Sequence, residues 1–213
     1  MANIAFLRAN WLNLLDKLNA DLSIGRAIWT DLVAAHSVST RHYHNLEHVR
    51  DLLNLTLAQP VVSSLTTLEL VAWFHDYIYE PQQQDNEINS AIAATTALTR
   101  LKVSPSTIKT VKQIILSTQK HEPLIEGIDN LIFLDLDLAI LGTSTARYQK
   151  YAAAIRKEYS WLSNHDYQQG RKRVLSNFLN RNNIYYTDYF YQNREAQARV
   201  NLAREIEILS SHS

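Results

Sequence analysis

The sequence predicts an all-α protein, and three observations support that class. The 213 residues include only 4 glycines and 4 prolines, too few breakers for a chain built of strands and tight turns. Apolar residues recur at three- and four-residue steps, which is the spacing of one face of a helix. Residues that favour helix starts precede several of these segments. With no internal repeat and no flexible linker, we expect one domain that spans residues 1–213.

Bulk composition narrows the classes of function. The 21 basic and 21 acidic residues give a formal net charge of zero, so we expect no nucleic-acid partner. The chain has no cysteine, which leaves His, Asp, Glu and water as ligands for any metal ion. No signal-peptide pattern occurs at the N-terminus, and no apolar run approaches the roughly 20 residues of a membrane span. A cytoplasmic location without a membrane partner is therefore expected.

Helices are expected in order from the start of the chain. Apolar residues from Phe6 to Leu18 form the stripe of a first amphipathic helix, and residues 25–35 favour a second. Asn45 is a suitable N-cap for a third helix over about residues 46–58. An apolar segment over about residues 65–78 predicts the fourth.

The middle of the chain continues this pattern. Asp85 and Glu87 open a helix that extends to about Lys102, and their charges either complement the helix dipole or support a binding site. Ser104 followed by Pro105 is a cap with proline at the first helical position. These features predict two more helices before residue 123.

The run 131–142 is apolar apart from two aspartates. On a helix, Asp135 and Asp137 would point about 200° apart, so at most one of them would face a given site. Farther on, residues 148–159 and 195–209 favour helices, and an aromatic cluster over residues 185–191 is interpreted as core in preference to a dimer face.

Histidines and carboxylates suggest a metal site. His44 and His48 would share one helix face if helical geometry extended back to His44. His75 and Asp76 follow an apolar run, where an unpaired charge is costly unless a cation or hydrogen bonds satisfy it. A lone His-Asp pair could equally end a helix at the surface. Together with His48 and one later aspartate, however, the pair suits Mn²⁺, Fe²⁺, Mg²⁺ or Zn²⁺.

This ordered set resembles the H…HD…D signature of the HD superfamily of metal-dependent phosphohydrolases. The chain is similar over most of its length to the bacterial group of predicted metal-dependent HD phosphohydrolases. The matching segments are Tyr-His-Asn-x-x-His at 43–48, Trp-Phe-His-Asp at 73–76, Asp-Asn-Glu at 85–87 and Asp-x-Asp-Leu-x-x-Leu-Gly at 135–142. The resemblance implies an HD-domain helical bundle with the metal at its centre, a core at about 40–145, and helices of 146–213 packed on it.

The resemblance also implies roles for individual residues. One divalent ion (Mn, Fe, Mg, Zn or Ni) would be held by His48, His75, Asp76 and Asp137, with Asp137 chosen over Asp135. His44 and Asp76 would be catalytic, with His44 as general acid because the same segment is similar to that of cyclic-nucleotide phosphodiesterases. The residues expected to support the ligands or to contact substrate are Asn45, Asp85, Glu87, His121 and Asp135.

The expected activity is hydrolysis of a small-molecule phosphate ester with a nucleotide-like character. Arg41 and Lys120 are among the cations that could neutralise its phosphate. Two other functions stay open: a non-catalytic regulatory module that binds metal or nucleotide, and a di-iron oxygenase of the same fold. The oxygenase needs more ligands than His121 alone would add. A homodimer is also compatible with the sequence.

Overall fold

The structure is a computed structural model that describes residues 3–59 and 61–211. These residues form ten α-helices and contain no strand, which confirms the predicted all-α class. None of the described helices is both long enough and apolar enough to cross a membrane. The helices are α1 Ile4–Lys17, α2 Leu22–His36, α3 Leu46–Leu57, α4 Leu65–Phe74, α5 Asn86–Arg100, α6 Pro105–Thr118, α7 Ile128–Asp137, α8 Thr145–Glu158, α9 Asn164–Leu179 and α10 Asp188–Ser211.

The chain forms two compact units, Met1–Leu134 and Asp135–Ser213. The prediction of one domain with its core at about 40–145 stays a prediction. In the first unit, α4 is the buried centre: every residue from Thr67 to Phe74 is buried. Helices α1, α3, α5 and α6 pack against it. A helix that is apolar all round has no solvent face, so its neighbours must enclose it.

Two predicted helix starts are confirmed by their caps. The Asn45 side chain accepts a hydrogen bond from Glu47 N (2.8 Å) at the start of α3. Ser104 accepts one from Thr107 N (3.2 Å), and Pro105 is the first residue of α6. Side-chain caps of this kind satisfy backbone donors that the first turn leaves without partners.

Helix α4 ends at Phe74, four residues before the predicted end near Ile78. The amide of His75 still donates to Val71 O (2.9 Å), so His75 is the C-cap and Asp76 is the first residue beyond it. The backbone can therefore change direction after His75, and the residues that follow no longer keep the spacing of a helix. The His-Asp pair consequently stands at the end of the buried helix.

One polar bridge crosses the apolar interface between α1 and α4. Asn10 donates to Glu69 Oε1 (2.8 Å) and accepts a hydrogen bond from Trp73 Nε1 (3.0 Å). Lys17 Nζ lies 2.9 Å from Glu69 Oε2. Glu69 is 1% exposed, and these partners offset the cost of burying its carboxylate.

In the second unit, a 3₁₀ turn (Leu138–Gly142) and α8 to α10 make the core. Helix α9 has no counterpart among the predicted helices, and α10 begins at Asp188 instead of near residue 195. Within the aromatic cluster, Tyr185 and Phe190 stack in the core with ring centroids 5.9 Å apart. Tyr189 and Tyr191 are about half exposed. The core interpretation therefore holds for only part of the cluster.

A buried imidazole makes the first unit sensitive to acid. His36 is 1% exposed; its Nε2 lies 3.3 Å from Trp73 O and its Nδ1 lies 3.2 Å from Arg41 Nη1. Because a guanidinium can only donate, Nδ1 must accept, and the ring is neutral. Burial and the Arg41 charge lower the pKa of His36 to about 3 from 6.5, although Asp76 partly opposes them and His75 adds to them.

We expect His36 to destabilise the fold below about pH 6.5. The folded-state pKa lies below the unfolded value, so this contribution is complete above pH 6.5 and is lost as the pH falls toward 3. The free energy of unfolding should drop by about 1.4 kcal/mol per pH unit from this group. Urea unfolding at several pH values would be compared with His36→Gln, whose amide can donate and accept but does not titrate. Identical pH slopes in the two proteins would contradict the assignment.

Candidate metal centre

The first imidazole of the site comes from α3. Asn45 caps this helix, and His48 lies in its first turn on the buried stripe that continues through Leu52. Only 5% of His48 is exposed. The cap fixes where α3 begins, and the apolar stripe fixes which way the ring faces. His48 is therefore held inside the unit with its Nε2 directed at His75.

The second imidazole comes from the end of α4. His75 Nδ1 lies 3.3 Å from Ala72 O, and its Nε2 lies 3.2 Å from His48 Nε2. An imidazole that donates from Nδ1 to a carbonyl keeps a free lone pair on Nε2, which is how metal-binding histidines are commonly oriented. Phe133 packs edge-on against the ring, with centroids 5.4 Å apart. Both contacts fix the His75 ring in one orientation.

Asp76 brings a carboxylate to the two rings. Its Oδ2 lies 2.9 Å from His75 Nε2 and 3.6 Å from His48 Nε2, and its side chain is 17% exposed. Burial raises the pKa of Asp76, but His75, His44 and His48 together outweigh burial and hold that pKa well below its usual range. The group is therefore an anion in contact with two imidazole nitrogens.

Asp137 is the last residue of α7, an uninterrupted helix that begins in the first unit. It lies one turn after Phe133, the residue that contacts His75, and so on the same helix face. His48, His75 and Asp137 each offer one ligand atom, and these atoms all lie within 4.8 Å of one another. Of the two aspartates that the sequence left open, Asp137 is the member of this group.

Asp135 has a different set of partners. Its carboxylate accepts hydrogen bonds from Tyr186 N (2.7 Å), Thr187 N (2.8 Å) and Thr187 Oγ1 (2.7 Å). Burial raises the pKa of Asp135 to about 6, and these three bonds oppose the rise. Two residues of helix separate it from Asp137 by about 200°, as expected from the sequence. The hydrogen bonds of the Asp135 carboxylate therefore connect the end of α7 to residues 186–187 within the second unit.

The spacing of these atoms fits a small divalent cation. Two nitrogens bound at about 2.1 Å to one ion lie about 3.0 Å apart at a right angle and about 3.4 Å apart at a tetrahedral angle. The 3.2 Å between His48 Nε2 and His75 Nε2 falls inside that range. The 2.9 Å between His75 Nε2 and Asp76 Oδ2 is close to the lower value. The cluster of His and Asp residues could therefore hold a metal ion.

His44 lies beside this cluster, although α3 begins at Leu46 and does not include it. The condition for a shared helix face is thus not met, but the rings of His44 and His48 still approach to 5.9 Å between centroids. The His44 ring stacks on Tyr79, with centroids 4.2 Å apart. His44 is half-buried, is held by this stack and lies next to His48.

Arg41 positions the backbone that carries these side chains. Its guanidinium donates to Asp76 O (2.6 Å), Tyr77 O (2.9 Å) and His44 O (3.3 Å). It also lies over the Tyr79 ring, 5.5 Å from the centroid. The sequence suggested Arg41 as a phosphate ligand, but not as an anchor of the His44 and Asp76 segments. Contacts to backbone carbonyls leave no residue pattern that could have revealed this role.

The other predicted site residues lie in varied places. Asn45 caps α3, and its amide also donates to Arg41 O and His42 O. Asp85 is exposed at the N-terminus of α5, and Glu87 is half-buried in the first turn of that helix. His121 is half-buried just after α6 and has a left-handed φ of 49°. None of them belongs to the group formed by His48, His75 and Asp137.

Comparisons with protein-family models, with curated proteins and with solved structures find no significant match to this chain.

Proposed function

We propose that this chain is a metal-dependent phosphohydrolase that acts on a small-molecule phosphate ester. The observation that carries the proposal is that His48 of α3 meets His75 and Asp76 at the end of α4, with the two imidazole Nε2 atoms 3.2 Å apart. Asp137 would be the fourth ligand, since its carboxylate lies within 4.8 Å of ligand atoms of His48 and His75, in a group that does not include Asp76. The reaction class comes from the resemblance to the HD superfamily, whose ordered H…HD…D residues are these four.

The donor set favours one transition-metal ion. Two imidazoles suit Fe²⁺, Zn²⁺ or Ni²⁺, and the carboxylates extend the range to Mn²⁺ and Mg²⁺. Within residues 3–59 and 61–211, His48, His75 and Asp137 form one group of this kind, which supports a single ion per chain. A bound divalent ion supplies Lewis acidity for the phosphoryl oxygen and lowers the pKa of bound water.

His44 is the residue best placed to move a proton. Its ring lies beside His48 and is held flat against Tyr79, so it can approach an ester oxygen at the metal ligands without being a ligand itself. Arg41 anchors the carbonyls of both His44 and Asp76, which keeps the distance between the acid and the ligands constant. We propose that His44 protonates the leaving oxygen of the ester.

The test is hydrolysis of p-nitrophenyl phosphate and bis(p-nitrophenyl) phosphate by protein loaded with each candidate metal. We expect His44→Ala to keep the wild-type metal content and to lose about 10²- to 10⁴-fold in kcat, the usual contribution of a general acid. His42→Ala is the matched control, because His42 is exposed and its side chain lies outside the site. Full activity in His44→Ala would remove the acid role, and inert metal-loaded wild type would contradict the phosphohydrolase proposal.

A further inference from the structure

A separate cavity lies wholly within the second unit. It has a volume of about 260 Å³, is lined by side chains of α8, α9 and α10, and opens to solvent. That is the space of roughly nine water molecules at about 30 Å³ each, so it suits a ligand of on the order of ten non-hydrogen atoms. Its floor is buried and its rim is exposed. The lining includes Tyr148, Ala152, Tyr167, Arg204, Glu205 and Ile208.

Glu205, which lines this cavity, belongs to a satisfied ion pair with Arg171. Arg171 donates to both oxygens of Glu205, from Nε at 2.8 Å and from Nη2 at 3.2 Å. The Tyr148 hydroxyl also donates to Glu205. Side-chain exposures of 9% for Arg171 and 10% for Glu205 show that the pair is shielded from solvent. Glu205, the one carboxylate that lines the cavity, is therefore neutralised by Arg171.

The remaining charges of the lining are positive. Arg156 stacks on the Tyr167 ring at 4.6 Å and donates to Tyr159 O (2.7 Å) and Leu162 O (3.2 Å), so its position is fixed. Arg204 is exposed and forms no hydrogen bond or ion pair with any residue that the structure describes. The cavity thus presents one cation that is available to a ligand.

Apolar and aromatic side chains form part of the cavity wall, beside the polar residues Thr145, Gln149, Asn164, Gln168 and Asn201. Tyr148 is 3% exposed and Tyr167 is 6% exposed, and both rings are fixed by their neighbours. Ile208 is 45% exposed and adds apolar surface at the rim. Ala152 also lines the cavity. An apolar cavity with a few polar groups is the common form of a small-molecule site.

We propose that this cavity binds a small anion with a flat apolar body, of which an aromatic carboxylate is the simplest example. The apolar body would lie between Tyr148 and Ile208, and the acid group would pair with Arg204. Nothing in this proposal depends on the metal centre or on the reaction proposed for it. It assigns the second unit a binding site of its own.

The proposal is tested by calorimetry of the full-length protein with phenylacetate, its neutral analogue phenylacetamide, and acetate. We expect phenylacetate to bind at least about 10-fold more tightly than phenylacetamide, since a charge-assisted pair contributes about 1.4 kcal/mol or more. Acetate, which lacks the apolar body, should bind negligibly. Arg204→Ala should abolish the preference for the acid. Arg173→Ala is the matched control, because Arg173 is an exposed arginine of α9 outside the lining.

A second variant tests the location directly. Ala152→Trp fills the cavity and should eliminate phenylacetate binding while thermal unfolding stays cooperative. Failure of phenylacetate to bind wild type at millimolar concentration would overturn the proposal. Binding that survives both Arg204→Ala and Ala152→Trp would overturn it as well, because the ligand would then occupy another place.

Discussion

Asp76→Ala is expected to yield a folded protein without metal. Asp76 contacts both imidazole nitrogens and carries the negative charge that a divalent ion would require there. Loss of a group that merely supports a ligand costs 10- to 100-fold in metal affinity, so loss of a ligand itself should cost more than about 100-fold. Elemental mass spectrometry of protein purified without chelator measures the metal content, and hydrolysis should disappear with the metal.

The fold should survive this substitution because the Asp76 side chain is 17% exposed and lies beyond the end of α4. Asp51→Ala is the matched control: Asp51 pairs with Arg50 at the surface and lies on α3, the helix that carries His48. About one ion per chain in wild type and in Asp51→Ala, and none in Asp76→Ala, is the expected pattern. Equal metal content in all three proteins would show that Asp76 is not a ligand.

Among these substitutions, Arg41→Ala is expected to lower the free energy of unfolding the most. Arg41 is 8% exposed and satisfies the carbonyls of Asp76 and Tyr77 as well as Nδ1 of His36. Each buried polar group left without a partner costs about 1–3 kcal/mol, so the combined loss should be roughly 3–5 kcal/mol. Metal affinity should fall too, because the segment that carries Asp76 loses its anchor.

Arg41→Lys separates charge from geometry. A lysine keeps the positive charge, but its ammonium cannot reproduce the fork that spans two carbonyls, so most of the stability should still be lost. The control is Arg50→Ala, which breaks a half-exposed pair with Asp51 and should cost no more than about 1 kcal/mol. Urea unfolding measures all three variants. Similar midpoints for Arg41→Ala and Arg50→Ala would refute the anchoring role.

A helix could be predicted from the sequence wherever an apolar stripe or a cap residue marks it. Helix α3, with Asn45 and its buried stripe, is the clearest example. Helix α9 could not be predicted, because it buries only Tyr167 and Leu175 in 16 residues and most of its other residues are polar. The early end of α4 was also missed, since no glycine or proline occurs between Phe74 and Pro81 to mark it. Its true end depends on contacts made beyond the helix.

The residues of the candidate site likewise divide into those that the sequence could predict and those that it could not. His48, His75 and Asp76 stand out in the sequence because their types and order suggest metal ligands, and the structure brings them together. Asp137 could be separated from Asp135 only once α7 fixed their directions. The stack of Tyr79 on His44 has no sequence signal, because an aromatic residue at position 79 fits many environments equally well.

The polar bridge between α1 and α4 sets the register of two helices that apolar contacts alone would let slide. Apolar surfaces tolerate displacement along an axis, whereas Asn10 must meet Glu69 and Trp73 at once. A slip of one residue would move α4 by about 1.5 Å, several times the roughly 0.2 Å tolerance of a metal–ligand bond. His75 follows Trp73 by two residues. The Asn10 amide, on the opposite side of α4, therefore fixes the position of the His75 imidazole along the axis of that helix.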